Sequence, residues 1–267
     1  MAALKSLRPA VGALVRNPIL AALVGLFSLV QLPQLALQAT QPLLAALVSL
    51  VLTGVMILVM PFFQGGLIGM ADEALDGTTS LETLVTEGRA HYVTLLVAYL
   101  VVLAVNFTLG IVAFFAAIFG GAGLFALDAE SSLVGFGALA VVGLLFVLAY
   151  FLVAFFVQFY AHAIVLNDAG IVAGFKQSVR LVRRNLLSVV GYTVILLVGS
   201  VLFGGVGGVA SVLLSPQPTA LPIPEVSIPV LVGAVIVYVV AIAVFGAFYA
   251  TYSVAFYRAI EGTTATA

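Results

Sequence analysis

The chain has 267 residues, of which 64% are hydrophobic and 7% are charged, with a net charge of −1. A soluble domain carries about 25% charged residues, so this composition excludes a water-soluble globular protein. The absence of cysteine excludes disulfides, thiolate catalysis and Cys-ligated metals. The basic residues are few and lie mostly beside apolar stretches, which excludes a nucleic-acid-binding surface.

Apolar stretches long enough for a membrane-spanning helix follow one another along the chain. A helix needs roughly 20 apolar residues to cross the hydrocarbon core. Six stretches meet this length, near residues 18–38, 42–63, 92–119, 132–160, 186–214 and 229–257. Backbone hydrogen bonding in lipid requires helices or a closed barrel, and the short alternating segments of barrel strands do not occur. The sequence therefore predicts an all-α polytopic protein, a single membrane domain over residues 1–267 with six transmembrane helices.

The basic residues all fall on one side of this threading. They precede the odd-numbered stretches or follow the sixth: Lys5, Arg8, Arg16, Arg89, Lys176, Arg180, Arg183, Arg184 and Arg258. The connections near 39–41, 120–131 and 215–228 contain no Lys or Arg. Because cytoplasmic segments are enriched in Lys and Arg, we expect a multi-pass protein of the cell membrane with both termini in the cytoplasm.

The segments before the first, third and fifth stretches align with one another on Asn17, His91 and Asn185. The positions ten and six residues before these anchors are apolar in each copy: Leu7 and Val11, Leu81 and Val85, Phe175 and Val179. Each copy also ends in an acidic residue and glycine: Asp76-Gly77, Asp168-Ala169-Gly170 and Glu261-Gly262. This pattern predicts three parallel two-helix repeats, each preceded by an interfacial amphipathic helix. The repeat units cover residues of about 1–77, 78–170 and 171–262.

The segment of the third unit has the clearest amphipathic pattern. Its apolar residues step by three or four, as on one face of a helix: Val172, Phe175, Val179, Val182 and Leu186. The remaining faces carry Lys176, Arg180, Arg183 and Arg184. A basic amphipathic helix of this kind is typical of the inner membrane surface. Its basic residues are candidates for contact with lipid headgroups or a partner, or serve only as an orientation anchor.

The first two segments carry local signals of their own. The first has a similar apolar stripe: Leu4, Leu7, Val11 and Leu14. A proline disfavours helix at the residue before it, so Asn17-Pro18 predicts a bend before the first span. In the second segment, Thr79 and Glu82 fit a capping box at a helix start. His91 follows Glu87 by four residues, which predicts an interfacial pair.

Polar residues inside the apolar stretches are uncharged, although ionisable residues usually mark transport or catalysis. The candidates for an intramembrane polar site are Asn106, Gln64, Gln158 and His162. We expect Asn106 to face a neighbouring helix or a cavity, because an amide facing lipid is costly. His162 follows Gln158 by four residues, so the two should share a helix face. Interhelical hydrogen bonds or a solute site would each account for this set.

Acidic and glycine clusters leave further alternatives open. Asp72 and Asp76 share a helix face and suit a divalent cation, but a solvated surface is the simpler interpretation, and no metal or cofactor is expected. Small-residue pairs that let helices approach closely occur at Gly65 and Gly69 and again within Gly204–Gly208. The second run also weakens a helix, so a kink or a break of the fifth helix is open there. Because only one span is so marked, close packing or a frayed outer end is the preferred interpretation.

Several short motifs carry a resemblance to known proteins: Leu7-Arg8-Pro9-Ala10, Arg16-Asn17-Pro18, the run from Pro61 to Leu67, and Asp76-Gly77. They resemble an uncharacterised archaeal six-span integral membrane family. That family is similar to the membrane domain of glycerophosphodiester phosphodiesterases, whose soluble catalytic domain this sequence does not contain. The resemblance implies an accessory or scaffold-like role and supplies no catalytic residues.

We therefore expect a non-enzymatic scaffold or accessory subunit that contacts membrane lipids and, through partner binding or self-association, other membrane proteins. The alternative is a permease or channel for a small neutral or lipid-like solute, using the uncharged intramembrane residues. A third hypothesis is a metal-dependent membrane enzyme that uses Asp72 and Asp76. No nucleic-acid partner is expected under any of them.

Overall fold

A computed structural model describes residues 2–31, 41–125, 129–214 and 228–265. Within these residues the chain forms α-helices and one 3-10 turn, Leu29–Gln31, and no strand, which confirms the all-α class. The helices in chain order are α1 (Ala2–Arg16), α2 (Pro18–Ser28), α3 (Pro42–Asp76), α4 (Leu81–Ala90), α5 (Tyr92–Phe125), α6 (Ala129–Val157), α7 (Tyr160–Leu166), α8 (Ile171–Arg184), α9 (Leu186–Leu214) and α10 (Ile228–Ala265).

Among the described residues, five helical segments are long and apolar enough to cross a membrane: Leu43–Asp76, Tyr92–Ile118, Ala140–Leu166, Leu186–Gly205 and Val232–Gly262. A sixth is reached if α1 and α2, bent by 80° at Asn17, count as one span. The predicted bend before Pro18 is confirmed, because proline starts α2 and cannot continue α1. These segments confirm a membrane protein with several spans.

The predicted bounds of the spans need correction at two places. The predicted first span, 18–38, is helical over Pro18–Ser28 and continues as the 3-10 turn Leu29–Gln31, and its remaining residues lie outside the described part. The predicted connection near 120–131 is too long, because α5 continues to Phe125 and α6 begins at Ala129. The predicted connection at 215–228 lies outside the described residues, apart from Ile228.

The last helix forms the centre of the packed region. Residues 250–257 of α10 are buried without exception, which is the pattern of a helix surrounded by other helices. The hydroxyl of Tyr252 donates a hydrogen bond to the carbonyl of Ala3 at 3.1 Å, and the hydroxyl of Thr251 donates to Ala247 at 3.1 Å. The buried polar groups of α10 are thus satisfied by neighbouring backbone, as burial requires.

Helix α1 packs against α10 through its small residues. The buried positions of α1 are Ala3, Ser6, Ala10 and Ala13. The apolar stripe noted in the sequence is divided: Leu4 and Val11 are 62% and 47% exposed, while Leu7 and Leu14 are partly buried against the core. Small residues let two helix backbones approach closely in lipid, so the small face of α1 is its main packing face and Leu4 and Val11 are left exposed.

Close packing of α3 against α4 and the start of α5 depends on glycine. A Cβ added to Gly65 would lie 2.8 Å from the Leu95 side chain, and one added to Gly66 would overlap the Leu84 carbonyl oxygen. The predicted close approach is therefore confirmed at Gly65. In contrast, α9 runs unbroken through Gly204–Gly208, so a break is wrong there. No described atom lies within 4 Å of a Cβ added to Gly204 or Gly208, and the segment that follows α9 lies outside the described residues.

Three helix pairs pack in the same order along the chain: α3 against α4, α7 against α8, and α10 against α1. Helices α3, α7 and α10 also share one core cluster, to which Ile68, Ala161 and Val254 belong. The last helix therefore packs on the first, so the third pair joins the end of the chain to its beginning. We call this packed region, which holds α1, α4, α7 and α8 and the ends of α3 and α10, the basic end.

Candidate functional site

A break between α6 and α7 fixes the position of α8. Gln158 and Phe159 lie between the two helices, and helix ends leave backbone groups without partners. The backbone N–H of Phe159 donates to the hydroxyl oxygen of Ser178 at 3.1 Å, and that hydroxyl donates to the carbonyl of Phe156 at 2.9 Å. Ser178 is fully buried. One serine of α8 thus satisfies both sides of the break.

A cavity of about 370 Å³ lies between α5, α6, α7 and α8 beside this break. Its walls are mostly apolar, with polar side chains from Asn106, Tyr150, Gln158 and Tyr160. Ligand cavities are commonly about 300–1,000 Å³ and combine apolar walls with a few polar groups. The cavity therefore has the size and lining of a site for a small or elongated apolar ligand.

Two of the four predicted intramembrane polar residues meet in this cavity. Asn106 and Gln158 both line it. The side-chain N–H of Asn106 donates to the carbonyl of Val102 at 2.8 Å, and that of Gln158 donates to Phe155 at 2.8 Å. Each amide is anchored to backbone of its own segment while it borders the cavity. Asn106 thus faces a cavity, as predicted.

The other two predicted residues lie elsewhere. Gln64 is half-buried on α3 and does not line the cavity. His162 is buried against α10, where its Nε2 is 3.0 Å from the hydroxyl of Ser253. Gln158 and His162 are not brought together, because Gln158 lines the cavity and His162 contacts Ser253 of α10. His162 thus belongs to the core and not to the cavity lining.

The four predicted basic residues of α8 lie together on its exposed side. They line a cleft of about 600 Å³ with Phe175 and Val179: Lys176, Arg180, Arg183 and Arg184. The Arg183 guanidinium carbon lies 5.9 Å from the ring centre of Phe156, a distance at which a cation interacts with an aromatic face. No ion pair within the described ranges involves a residue of α8. Glu261 lines an adjoining cleft with Lys176, Arg180 and Arg184, so the basic side chains of α8 outnumber the acidic one beside them.

Phe175 connects the cleft to the cavity. It lines both, and its ring stacks on Tyr160 with ring centres 4.9 Å apart. The predicted apolar stripe of α8 is divided between two surroundings. Val182 is buried in the core, while Val172 is 65% exposed. The arrangement places an apolar cavity and a basic cleft on either side of one phenylalanine, which suits an amphiphile with an anionic group.

The acidic cluster of α3 faces an arginine. Arg258 Nε donates to the Asp72 carboxylate at 2.5 Å, and Arg258 Nη1 donates to the Asp76 carboxylate at 3.0 Å. The same guanidinium also reaches the Asp72 carbonyl at 3.2 Å. Among the residues the structure covers, no group of three or more His, Cys, Asp or Glu side chains has metal-binding geometry. The carboxylates that suit a cation are thus joined to α10 by an ion pair.

The neighbouring Glu73 corrects the predicted capping box. The hydroxyls of Thr79 and Thr83 donate to the Glu73 carboxylate at 2.8 and 2.5 Å. Helix α4 does start where expected, but Ser80 is its N-cap and makes no side-chain capping bond. The reason is that the Thr79 hydroxyl is engaged with the end of α3.

The three anchor residues of the aligned segments have different contacts. Asn17 donates to the Gly77 carbonyl at 3.1 Å and accepts from the Thr79 backbone N–H at 2.9 Å. His91 Nε2 lies 3.3 Å from the Glu87 carboxylate, which confirms the predicted pair, and 3.9 Å from that of Asp168. The side chain of Asn185 donates only within its own helix end, to Leu181 at 3.1 Å.

Comparison with known proteins places the chain in a family. A family model described as "Domain of unknown function (DUF7847)" matches residues 1–260. The chain belongs to the DUF7847 family. No curated protein and no solved structure matches it. The DUF7847 match extends from α1 into α10 and so includes every residue of the cavity and the basic cleft.

Proposed function

We propose that this chain is a non-enzymatic scaffold or accessory subunit of the cell membrane that contacts lipid and partner membrane proteins, including further copies of itself. The observation that carries the proposal is the use of polar side chains at the basic end. Groups that resemble catalytic or metal-binding residues are engaged at helix junctions: Asp72 and Asp76 with Arg258, His162 with Ser253, and Asn17 with Gly77 and Thr79. Such contacts hold helices together.

Three parallel repeats form part of this proposal. The anchor segment of each unit contacts the acidic-glycine end of the same unit, which supports the alignment. Asn17 bonds Gly77, His91 lies near Asp168, and Gln177 of α8 donates to Glu261 at 3.2 Å. The closing series of helix contacts gives the same support, because each unit's second span packs on the amphipathic helix of the next unit.

The orientation also belongs to the proposal. Helices α1, α4 and α8 lie at the cytoplasmic surface, where anionic lipid attracts basic residues. The outward apolar side chains of α1 and α8 support this position, since Leu4 and Val172 are 62% and 65% exposed and would insert among the lipids. An accessory role is also what the resemblance to the membrane domain of glycerophosphodiester phosphodiesterases implies.

Photo-crosslinking in native membranes tests the scaffold role. A benzoylphenylalanine is placed at Leu144 or Val201, which are 66% and 67% exposed on α6 and α9, and at buried Ala163 as the control. We expect discrete protein adducts at the exposed positions and none at the buried one. Adducts with lipid alone at Leu144, Val201 and further exposed sites would contradict the proposal.

A second candidate function is a permease for a small neutral or lipid-like solute. The observation that favours it is that Asn106 and Gln158 line one cavity. Proteoliposomes would then pass a neutral solute such as glycerol or urea, or exchange a labelled lipid between leaflets, faster than empty liposomes. An Ala154→Phe variant, which fills the cavity, would lose that excess. Equal rates for protein-containing and empty liposomes would exclude this function.

A further inference from the structure

We propose that the cavity and the basic cleft together bind one anionic phospholipid, with its phosphate in the cleft of α8 and one hydrocarbon chain in the cavity. The inference rests on the lipid-contacting role proposed above and gives that role a defined site. It names a single bound lipid, whereas the proposed function requires only general contact with the membrane.

The basic cleft has the chemistry of a phosphate site. Arg180 and Arg183 lie one turn apart on α8, and Lys176 lies one turn before Arg180, all with exposed side chains. Arginine binds phosphate oxygens through paired N–H groups, and basic pockets beside membrane helices receive lipid headgroups. Val179 and Phe175 form the apolar part of the same cleft. The cleft therefore offers positive charge next to an apolar floor.

The cavity has the lining of a hydrocarbon site. Its walls come from two spanning helices, with Val101 and Val105 from α5 and Val153 and Ala154 from α6. The polar side chains in the lining are those of Asn106, Gln158, Tyr150 and Tyr160. Nδ2 of Asn106 and Nε2 of Gln158 donate to nearby backbone. A cavity of about 370 Å³ lies within the range of ligand sites. It accepts an apolar chain without leaving these two N–H groups unpaired.

Phe175 is the reason for assigning both sites to one molecule. Its ring lines the cavity and the cleft and is held in place by stacking on Tyr160. A free phosphate would fill the cleft alone, and a neutral lipid would fill the cavity alone. Only an anionic amphiphile gains from both, so the site should select for charge and for the hydrocarbon chain at once.

Native mass spectrometry of the detergent-purified full chain tests this binding. The delipidated protein is titrated with phosphatidylglycerol, with phosphatidylcholine of the same chains, and with soluble glycerol phosphate. We expect one phosphatidylglycerol per chain at low concentration, with binding at least about tenfold tighter than that of phosphatidylcholine, as expected for two or more phosphate contacts. Glycerol phosphate should not bind in the same range or compete.

Paired variants separate the two halves of the site. Arg180→Gln with Arg183→Gln removes two charges from the cleft, and we expect a loss of about tenfold or more in phosphatidylglycerol affinity. The matched control is Lys5→Gln with Arg8→Gln, which removes two exposed charges from α1 and should leave the affinity unchanged. An equal loss in the control would overturn the proposal, because the effect would then be one of general charge.

For the hydrocarbon chain, Ala154→Phe fills the cavity and Leu152→Phe adds the same ring to an exposed position of α6 that does not line it. We expect Ala154→Phe to weaken phosphatidylglycerol binding several-fold and Leu152→Phe to leave it unchanged. If Ala154→Phe does not fold, Val153→Phe takes its place. The proposal is overturned by equal binding of both lipids, by retained binding in the cavity variant, or by effective competition from glycerol phosphate. None of these results depends on the outcome of the photo-crosslinking experiment, which tests the scaffold role separately.

Discussion

The hydroxyl oxygen of Ser178 in α8 accepts a hydrogen bond from the backbone N–H of Phe159, 3.1 Å away in the break between α6 and α7. This contact connects residues 19 positions apart and is fully buried. It holds the basic helix against the fourth predicted span, next to the cavity. The position of the candidate lipid site therefore depends on a serine that carries no charge.

Ser178→Ala should destabilise the protein by about 1–3 kcal/mol, because the N–H of Phe159 would be buried without a partner. The free energy of unfolding in detergent measures this loss. Thr108→Ala is the control, since the Thr108 hydroxyl bonds only to Ala104 of its own helix and is exposed. Equal stability of the Ser178 variant and the wild type would show that the break does not need this hydroxyl.

The two carboxylates that bind Arg258 should differ in their importance. The Asp72 side chain is 30% exposed and accepts from Nε, whereas that of Asp76 is 75% exposed. We expect Asp72→Asn to cost about 1–2 kcal/mol of unfolding free energy and Asp76→Asn less than about 1 kcal/mol, because solvent screens the outer pair. The free energy of unfolding in detergent, measured at low and high salt, shows which of the two variants loses more stability. A larger loss for Asp76→Asn would contradict this reading of the ion pair.

Asn17 should matter more than Asn185, although the two occupy the same position in the aligned segments. Asn17 bonds to both Gly77 and Thr79 across the chain, and Asn185 bonds within its own helix end. We expect Asn17→Ala to lose about 1–3 kcal/mol and Asn185→Ala to lose clearly less. The comparison uses thermal unfolding in the same detergent. Similar losses would mean that the contact between units contributes nothing beyond local capping.

Glycine substitutions should separate a packed site from an open one. At Gly66 a Cβ would overlap the Leu84 carbonyl oxygen, and backbone cannot move aside as a side chain can. Gly66→Ala should therefore cost about 1–3 kcal/mol, as overpacking does. Gly204→Ala meets no described atom within 4 Å and should be neutral or stabilising, since alanine favours helix by about 1 kcal/mol. Purified yield and unfolding free energy report both effects, and a destabilised Gly204 variant would contradict the open environment.

Features set by local sequence could be predicted for this chain. The apolar stretches predicted the long helices, because length and composition decide whether a segment can lie in lipid. The bend at Asn17 follows from the proline after it, and the pair of Glu87 with His91 follows from helical spacing. The grouping of Lys176, Arg180, Arg183 and Arg184 was also predictable, because all four lie on one short helix.

Contacts between distant segments could not be predicted. Arg258 lies 186 residues from Asp72, and the sequence contains no local sign of their pairing. The break at Gln158-Phe159 has no proline or glycine to mark it, so His162 was expected beside Gln158. The packing face of α1 was missed because lipid accepts its large apolar residues as readily as protein does. Small buried residues such as Ser6 and Ala10 are the signal that would have found it.

The proposed role as a lipid-contacting scaffold requires α1, α4 and α8 to lie on one side of the membrane. Single-cysteine labelling tests this most directly, because the chain contains no cysteine of its own. With an impermeant maleimide, Lys5→Cys and Lys176→Cys should react in inside-out vesicles, and Gln41→Cys should react only in right-side-out vesicles. Reaction of Lys5→Cys and Lys176→Cys from opposite sides, or of Gln41→Cys from the same side as both, would contradict the proposed arrangement.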